Sequence, residues 1–166
     1  MTLTLKLDDY LPYRLSVASN EISRLIAKAY ADRFGLSIAQ WRLICVLAED
    51  GSATPQSLVA RTAMDKVMVS RASAGLLTRR LIGRAPNPED ARSHHLALTP
   101  QGRALFEEVA PTAIAYERAL LATLDADEIA GLKQTLKRLE AVAQSLSAGD
   151  VPSLDVSDRN ASRREG

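Results

Sequence analysis

The chain has 166 residues, 46% hydrophobic and 25% charged, which suits one compact domain with a modest extension and is too short for two large lobes. Lys and Arg number 21 against 20 Asp and Glu, and the net charge of +1 excludes both a polycation and an acidic disordered chain. The single cysteine, Cys45, excludes an intramolecular disulfide and a cysteine-built metal centre.

In chain order, apolar residues from Tyr10 to Phe34 recur at helical spacing (Leu15, Ile22, Leu25, Ile26, Ala29) and stop at Gly35, which predicts one long helix. Ser37 with Gln40 forms a capping-box pattern ahead of the stripe Trp41, Ile44, Cys45 and Leu47, giving a second helix that ends at Asp50-Gly51. Thr54-Pro55 caps a third, about two turns long, and Asp65 caps a fourth that runs to about Arg79. Beyond it, Leu81 to Ala85, the turn Pro86-Asn87-Pro88-Glu89-Asp90 and the alternating stretch Ser93 to Leu98 predict a β-hairpin. Thr99-Pro100 opens a helix expected to kink at Pro111 and to reach about Leu124, and Asp125 with Glu128 caps another reaching about Leu146. The remaining residues to Gly166 lack periodicity and read as a flexible tail.

This order predicts a mainly α fold: a winged helix-turn-helix with a small β-hairpin wing, flanked by N- and C-terminal helices. So small a winged core cannot bury the apolar faces of the flanking helices, which points to a dimer. The charge is unevenly spread, since Thr54 to Arg103 holds eight basic and three acidic residues. That excess of +5 falls on the winged module, where it would attract a phosphate backbone. On the helix capped by Asp65, with Val69 facing inward, Ala72, Ser73 and Leu76 share the buried side. The opposite side carries Val67, Ser70, Arg71, Ala74 and Thr78, with Lys66 at its N-terminal flank. Small side chains let a helix enter a major groove closely, and Arg71 can fork onto guanine or a phosphate. An ordinary solvated helix face is the alternative on this helix alone.

Asp90-Ala91-Arg92 followed by Leu96-Ala97-Leu98-Thr99-Pro100-Gln101-Gly102 resembles the signature of the MarR family of winged-helix transcription regulators. Ser70-Arg71, Leu76, Leu81-Ile82-Gly83-Arg84, Gln40-Trp41 and Leu47-Ala48 are similar to its recognition helix, first wing strand and second helix, so that the resemblance spans about Tyr10 to Ser147. One departure is Arg80, where the family commonly has glycine. The resemblance implies a domain over 10–147, with dimerisation helices at 10–35 and 100–147 and a DNA-binding module at 37–99, followed by a tail at 148–166. It also implies a homodimer on a pseudo-palindromic operator, with Arg92 in the minor groove and Asp90 orienting it. Double-stranded DNA would be met by Lys66, Val67, Ser70, Arg71, Ala74, Arg84, Asp90 and Arg92. A local salt bridge holding the hairpin is the alternative for Asp90 and Arg92.

The resemblance further places the start of the first helix near Trp41 and Cys45, in a crevice where family members often bind small aromatic acids or phenols. Tyr10, Tyr13, Arg14, Trp41 and Cys45 are the candidate ligand residues, with aromatic walls for a ring and a guanidinium for a carboxylate. Plain packing where helices cross is the competing explanation.

Other chemistries find little purchase. His94 and His95 are adjacent on a strand and point to opposite faces, so no metal site is expected. No phosphate loop, nucleophile elbow or paired catalytic motif is present, so neither an enzyme nor a cofactor is expected. No apolar run reaches the roughly 18 residues of a membrane span, and a cytoplasmic protein is expected. Taken with the family resemblance, the sequence reads as a DNA-binding repressor released by a small aromatic or phenolic effector. The alternatives are a helical dimer serving as a protein-interaction module, or a redox-responsive regulator acting through Cys45.

Overall fold

The computed structural model describes residues 5–86 and 94–147. The chain divides into two compact units, 1–120 and 121–166.

In the first unit a 3-10 turn, Leu7–Asp9, leads into α1 (Leu11–Ala27), and a second short helix, α2, covers Ala31–Phe34. The single long helix expected from periodicity is therefore interrupted. Lys28 to Tyr30 leave the helical path and bring Ala29 and Tyr30 into the core, Tyr30 to 1% exposure, with its ring stacked on Trp41 at 5.3 Å. Gly35 ends α2 at a φ of 58°, a left-handed stop that glycine takes without strain.

Helix α3 (Ile38–Asp50) starts at the anticipated capping box: Gln40 N donates to Ser37 Oγ at 3.2 Å and Ser37 N donates to Gln40 Oε1 at 3.0 Å. Leu43, Ile44 and Leu47 on this helix are fully buried and form the centre of the core. A two-residue strand β1 (Ser52–Ala53) follows, then α4 (Pro55–Thr62), where Ser57 N donates to Thr54 Oγ1, and α5 (Lys66–Thr78), where Met68 N donates to Asp65 Oδ1 at 2.7 Å. Each such cap satisfies a backbone donor that the first helical turn would leave orphaned, at about 1 kcal/mol apiece. Helices α4 and α5 pack on α3 and on each other.

Strands β2 (Ile82–Pro86) and β3 (His94–Leu98) pair antiparallel, with Arg84 opposite Leu96. The hairpin expected from sequence gains a third member, because β1 pairs with the other edge of β3 to give the order β1-β3-β2. This seats the wing against α3 rather than leaving it a free ribbon. Helix α6 (Pro100–Leu121) continues through Pro111 without interruption.

In the second unit, α7 (Ala126–Ser147) begins at a capping box in which Glu128 N donates to Asp125 Oδ1 at 2.8 Å and Asp125 N donates to Glu128 Oε2 at 2.9 Å. None of its residues is buried, although Leu132, Leu136, Leu139, Val142 and Leu146 form an apolar stripe at helical spacing. Asp90, Arg92 and the tail 148–166 lie outside the described residues.

Candidate nucleic-acid interface

Helix α5 is fixed from below. Val69, Ala72, Ser73 and Leu76 are its buried residues, the same four that the 100° turn assigned to the inner side. Lys66, Val67, Ser70, Arg71, Ala74 and Thr78 are all exposed. Thr78 turns its hydroxyl back onto its own helix, donating to Ala74 O at 3.0 Å. The outward row thus contains small side chains, one guanidinium and a first turn with a Lys flank.

The structure brings Lys66, Ser70, Ala74 and Arg84 together in one cleft of about 690 Å3 between α4, α5 and the wing. Pro55, Gln56 and His94 complete its edges; His94 lies on the wing as its strand position suggests, whereas Gln56 carried no sequence signal for that position. Val67 and Arg71 fall on the other flank of the helix, in a groove of about 290 Å3 shared with Asp65, Gln40 and Met68. The outer ridge of α5 therefore stands between two depressions.

Two anchors hold the C-terminal end of this helix. Arg79 Nη2 donates to Phe34 O at 2.7 Å and Nη1 to Gly35 O at 3.2 Å, so the end of α5 is tied to the end of α2. Arg80, at a φ of 56°, takes the left-handed conformation that a glycine would have taken more cheaply. Its carbonyl accepts a hydrogen bond from Thr99 Oγ1 at 2.7 Å, and Thr99 Oγ1 in turn caps α6 by accepting from Gly102 N. Gly102 is required by space rather than by conformation: a Cβ there would lie 1.9 Å from Leu81 O. The Leu-Thr and glycine of the sequence signature are thus the joint that locks the exit of α5, the first wing strand and the start of α6 together.

The candidate ligand residues separate into two groups. Trp41, 8% exposed, lies between Tyr30 and Phe106, the latter ring at 5.8 Å and 22° from parallel. Trp41, Cys45, Phe106 and Ile114 line a cavity of about 410 Å3, and so do the acidic residues Glu49 and Glu117, but no basic residue. Tyr10, Tyr13 and Arg14 are exposed at the start of α1 and are not in its lining. Burial raises the Cys45 thiol to about 11, helped by the negative charge of Glu49. A peroxide-reactive cysteine needs the opposite shift, so the redox reading through Cys45 loses its chemical basis.

Among the described residues no cluster of three His, Cys, Asp or Glu side chains is placed to hold a metal ion, and no helix is long and apolar enough to cross a membrane. Residues 34–93 match the model of the MarR family. The multiple antibiotic resistance protein MarR of Salmonella typhimurium is 29% identical over 128 residues, covering 76% of this chain and 88% of that protein. A probable transcriptional regulator from Pseudomonas aeruginosa is 32% identical, with a TM-score of 0.72 over 81% of this chain and 99% of its own. BpsR of Bordetella bronchiseptica, whose DNA binding is regulated by 6-hydroxynicotinic acid, is 26% identical with a TM-score of 0.70 over 78% of this chain and 98% of its own. With α4 and α5 as the helix-turn-helix, a three-stranded wing and long flanking helices, this chain belongs to the MarR family of winged helix-turn-helix transcriptional regulators.

Proposed function

We propose that the protein is a homodimeric repressor that grips a pseudo-palindromic duplex through α5 and the wing and is released by a small aromatic or phenolic effector. The observation that carries this reading is the outward face of α5: small residues and Arg71 over a fully packed inner face, in the segment that concentrates the positive charge. Residues 37–99 form the DNA-binding module, while 10–35 and 100–147 provide the dimer. The apolar stripe of α7 and the exposed Leu11, Leu15 and Ile22 of α1 support that division, since a stable monomer would not leave both helices without a single buried residue.

The effector site is the cavity beside Trp41. Its aromatic walls suit a ring, and the absence of a basic side chain in its lining favours a phenol over a carboxylate. Tyr10, Tyr13 and Arg14 would contribute to it across the dimer, and only then would a carboxylate find a cation. A ligand that binds best to a state with the two α5 helices misplaced for successive major grooves releases DNA by that difference in affinity.

Selection of duplexes from a random pool, followed by titration of the selected operator, tests the reading. Arg71→Ala should weaken binding and relax base preference, while Arg92→Ala should weaken it evenly across sequences, each by roughly 1 to 3 kcal/mol. Unchanged affinity for both folded variants would remove this surface. Failure to select any duplex would leave the family fold serving as a protein-interaction module.

A further inference from the structure

Beside the polar Ser70 and Arg71, with Lys66 at its flank, the outer face of α5 carries uncovered apolar groups. Val67, in the first turn, is 58% exposed, and Met68 beside it is 46% exposed. Ala74 is exposed, and so is Thr78, whose hydroxyl proton is spent on Ala74 O. Val67 and Met68 together leave an uncovered apolar patch at the start of the helix. In the major groove, the one apolar group displayed by a base pair is the C5-methyl of thymine.

We infer that the protein selects its operator by thymine methyl groups read by Val67 and, further along the helix, by Ala74 and Thr78, on either side of the position read by Arg71. This rests on the proposed DNA-binding role of α5 and specifies how it chooses sequence. Val67 precedes Arg71 by one turn, and four residues rise about 6 Å along the helix, against about 3.4 Å per base pair. The thymine contacted by Val67 therefore lies within about two base pairs of the one contacted by Arg71. Polar readers would be sensitive to loss of a hydrogen bond, whereas this mode is sensitive to loss of a methyl group alone.

Replacing thymine by deoxyuridine removes that methyl and leaves every hydrogen-bonding group in place. The test is to select a duplex from a random pool, substitute deoxyuridine at each thymine of one half-site in turn, and measure the affinity of wild type and Val67→Ala. The wild type should lose about fourfold at the Val67 thymine, the equivalent of one methyl group at ~0.8 kcal/mol. At that one thymine Val67→Ala, a truncation at an exposed position, should bind the thymine and deoxyuridine duplexes alike. A selected operator whose affinity is indifferent to every such substitution, or a Val67→Ala protein as sensitive as the wild type, overturns the inference and leaves DNA binding intact. If no duplex is selected, the DNA-binding reading itself falls and the inference with it.

Discussion

Arg80 and Gly102 occupy one joint for opposite reasons. Arg80 adopts a φ of 56°, a conformation that costs an L side chain about 1 kcal/mol or more, held by the bond from Thr99 to its carbonyl. Arg80→Gly should therefore stabilise the fold by about 0.5 to 1 kcal/mol, the strain relieved less the extra freedom glycine gives the unfolded chain, as read by urea denaturation. A loss of stability would mean that the exposed arginine earns its place by a contact. Gly102 tolerates no such exchange: the Cβ of alanine would collide with the Leu81 carbonyl at the pivot between α5 and the wing. Gly102→Ala should lower stability by roughly 1 to 3 kcal/mol in the same assay, or more if the start of α6 is displaced. Cys45 yields a prediction in pH. Its thiol is raised to about 11 from an ordinary 9.0, so it favours the folded state below about pH 9, and that contribution is lost as pH climbs toward 11. Alkylation of Cys45 by iodoacetamide should accordingly be slow at pH 8 and accelerate only above pH 10; fast labelling at neutral pH would restore a redox role.

Helix ends were the most legible elements of this fold. Ser37 with Gln40, Thr54, Asp65, and Asp125 with Glu128 make in the structure the hydrogen bonds that their spacing announced, because a cap is a contact between residues three apart. The inner face of α5 was legible for the same reason, its period being set by the helix itself. What escaped the sequence depends on distant partners. The break at Lys28 to Tyr30 is made worthwhile by the stacking of Tyr30 on Trp41, and β1 is two residues long and exists only because β3 offers an edge. Arg79 is another such case: a basic residue after a helix suggests its dipole, whereas its guanidinium reaches the carbonyls of Phe34 and Gly35. Arg79→Ala should release α5 from α2, and amide hydrogen exchange should quicken at Gly35 to Ser37 and at the last turn of α5. Unaltered exchange at both places would show that the clamp is incidental. Of the candidate site, the α5 residues could be placed by periodicity and the Trp41 cavity could not, since its walls come from α3 and α6.

At the scale of the molecule, α1 and α7 each expose an apolar stripe, and the positive charge is concentrated in the stretch of sequence from Thr54 to Arg103 that holds the winged module. A dimer answers the first feature and a duplex the second. The two are linked, because two α5 helices must be held about one helical turn of DNA apart to enter successive major grooves. The most direct measurement is a titration of the selected operator, by fluorescence anisotropy at protein concentrations that give stoichiometry, repeated across a range of salt. The account predicts two chains per duplex, a half-site spacing of about ten base pairs, and an affinity that falls steeply and linearly in log-log form as salt rises. One chain per duplex, or an affinity indifferent to salt, would contradict it.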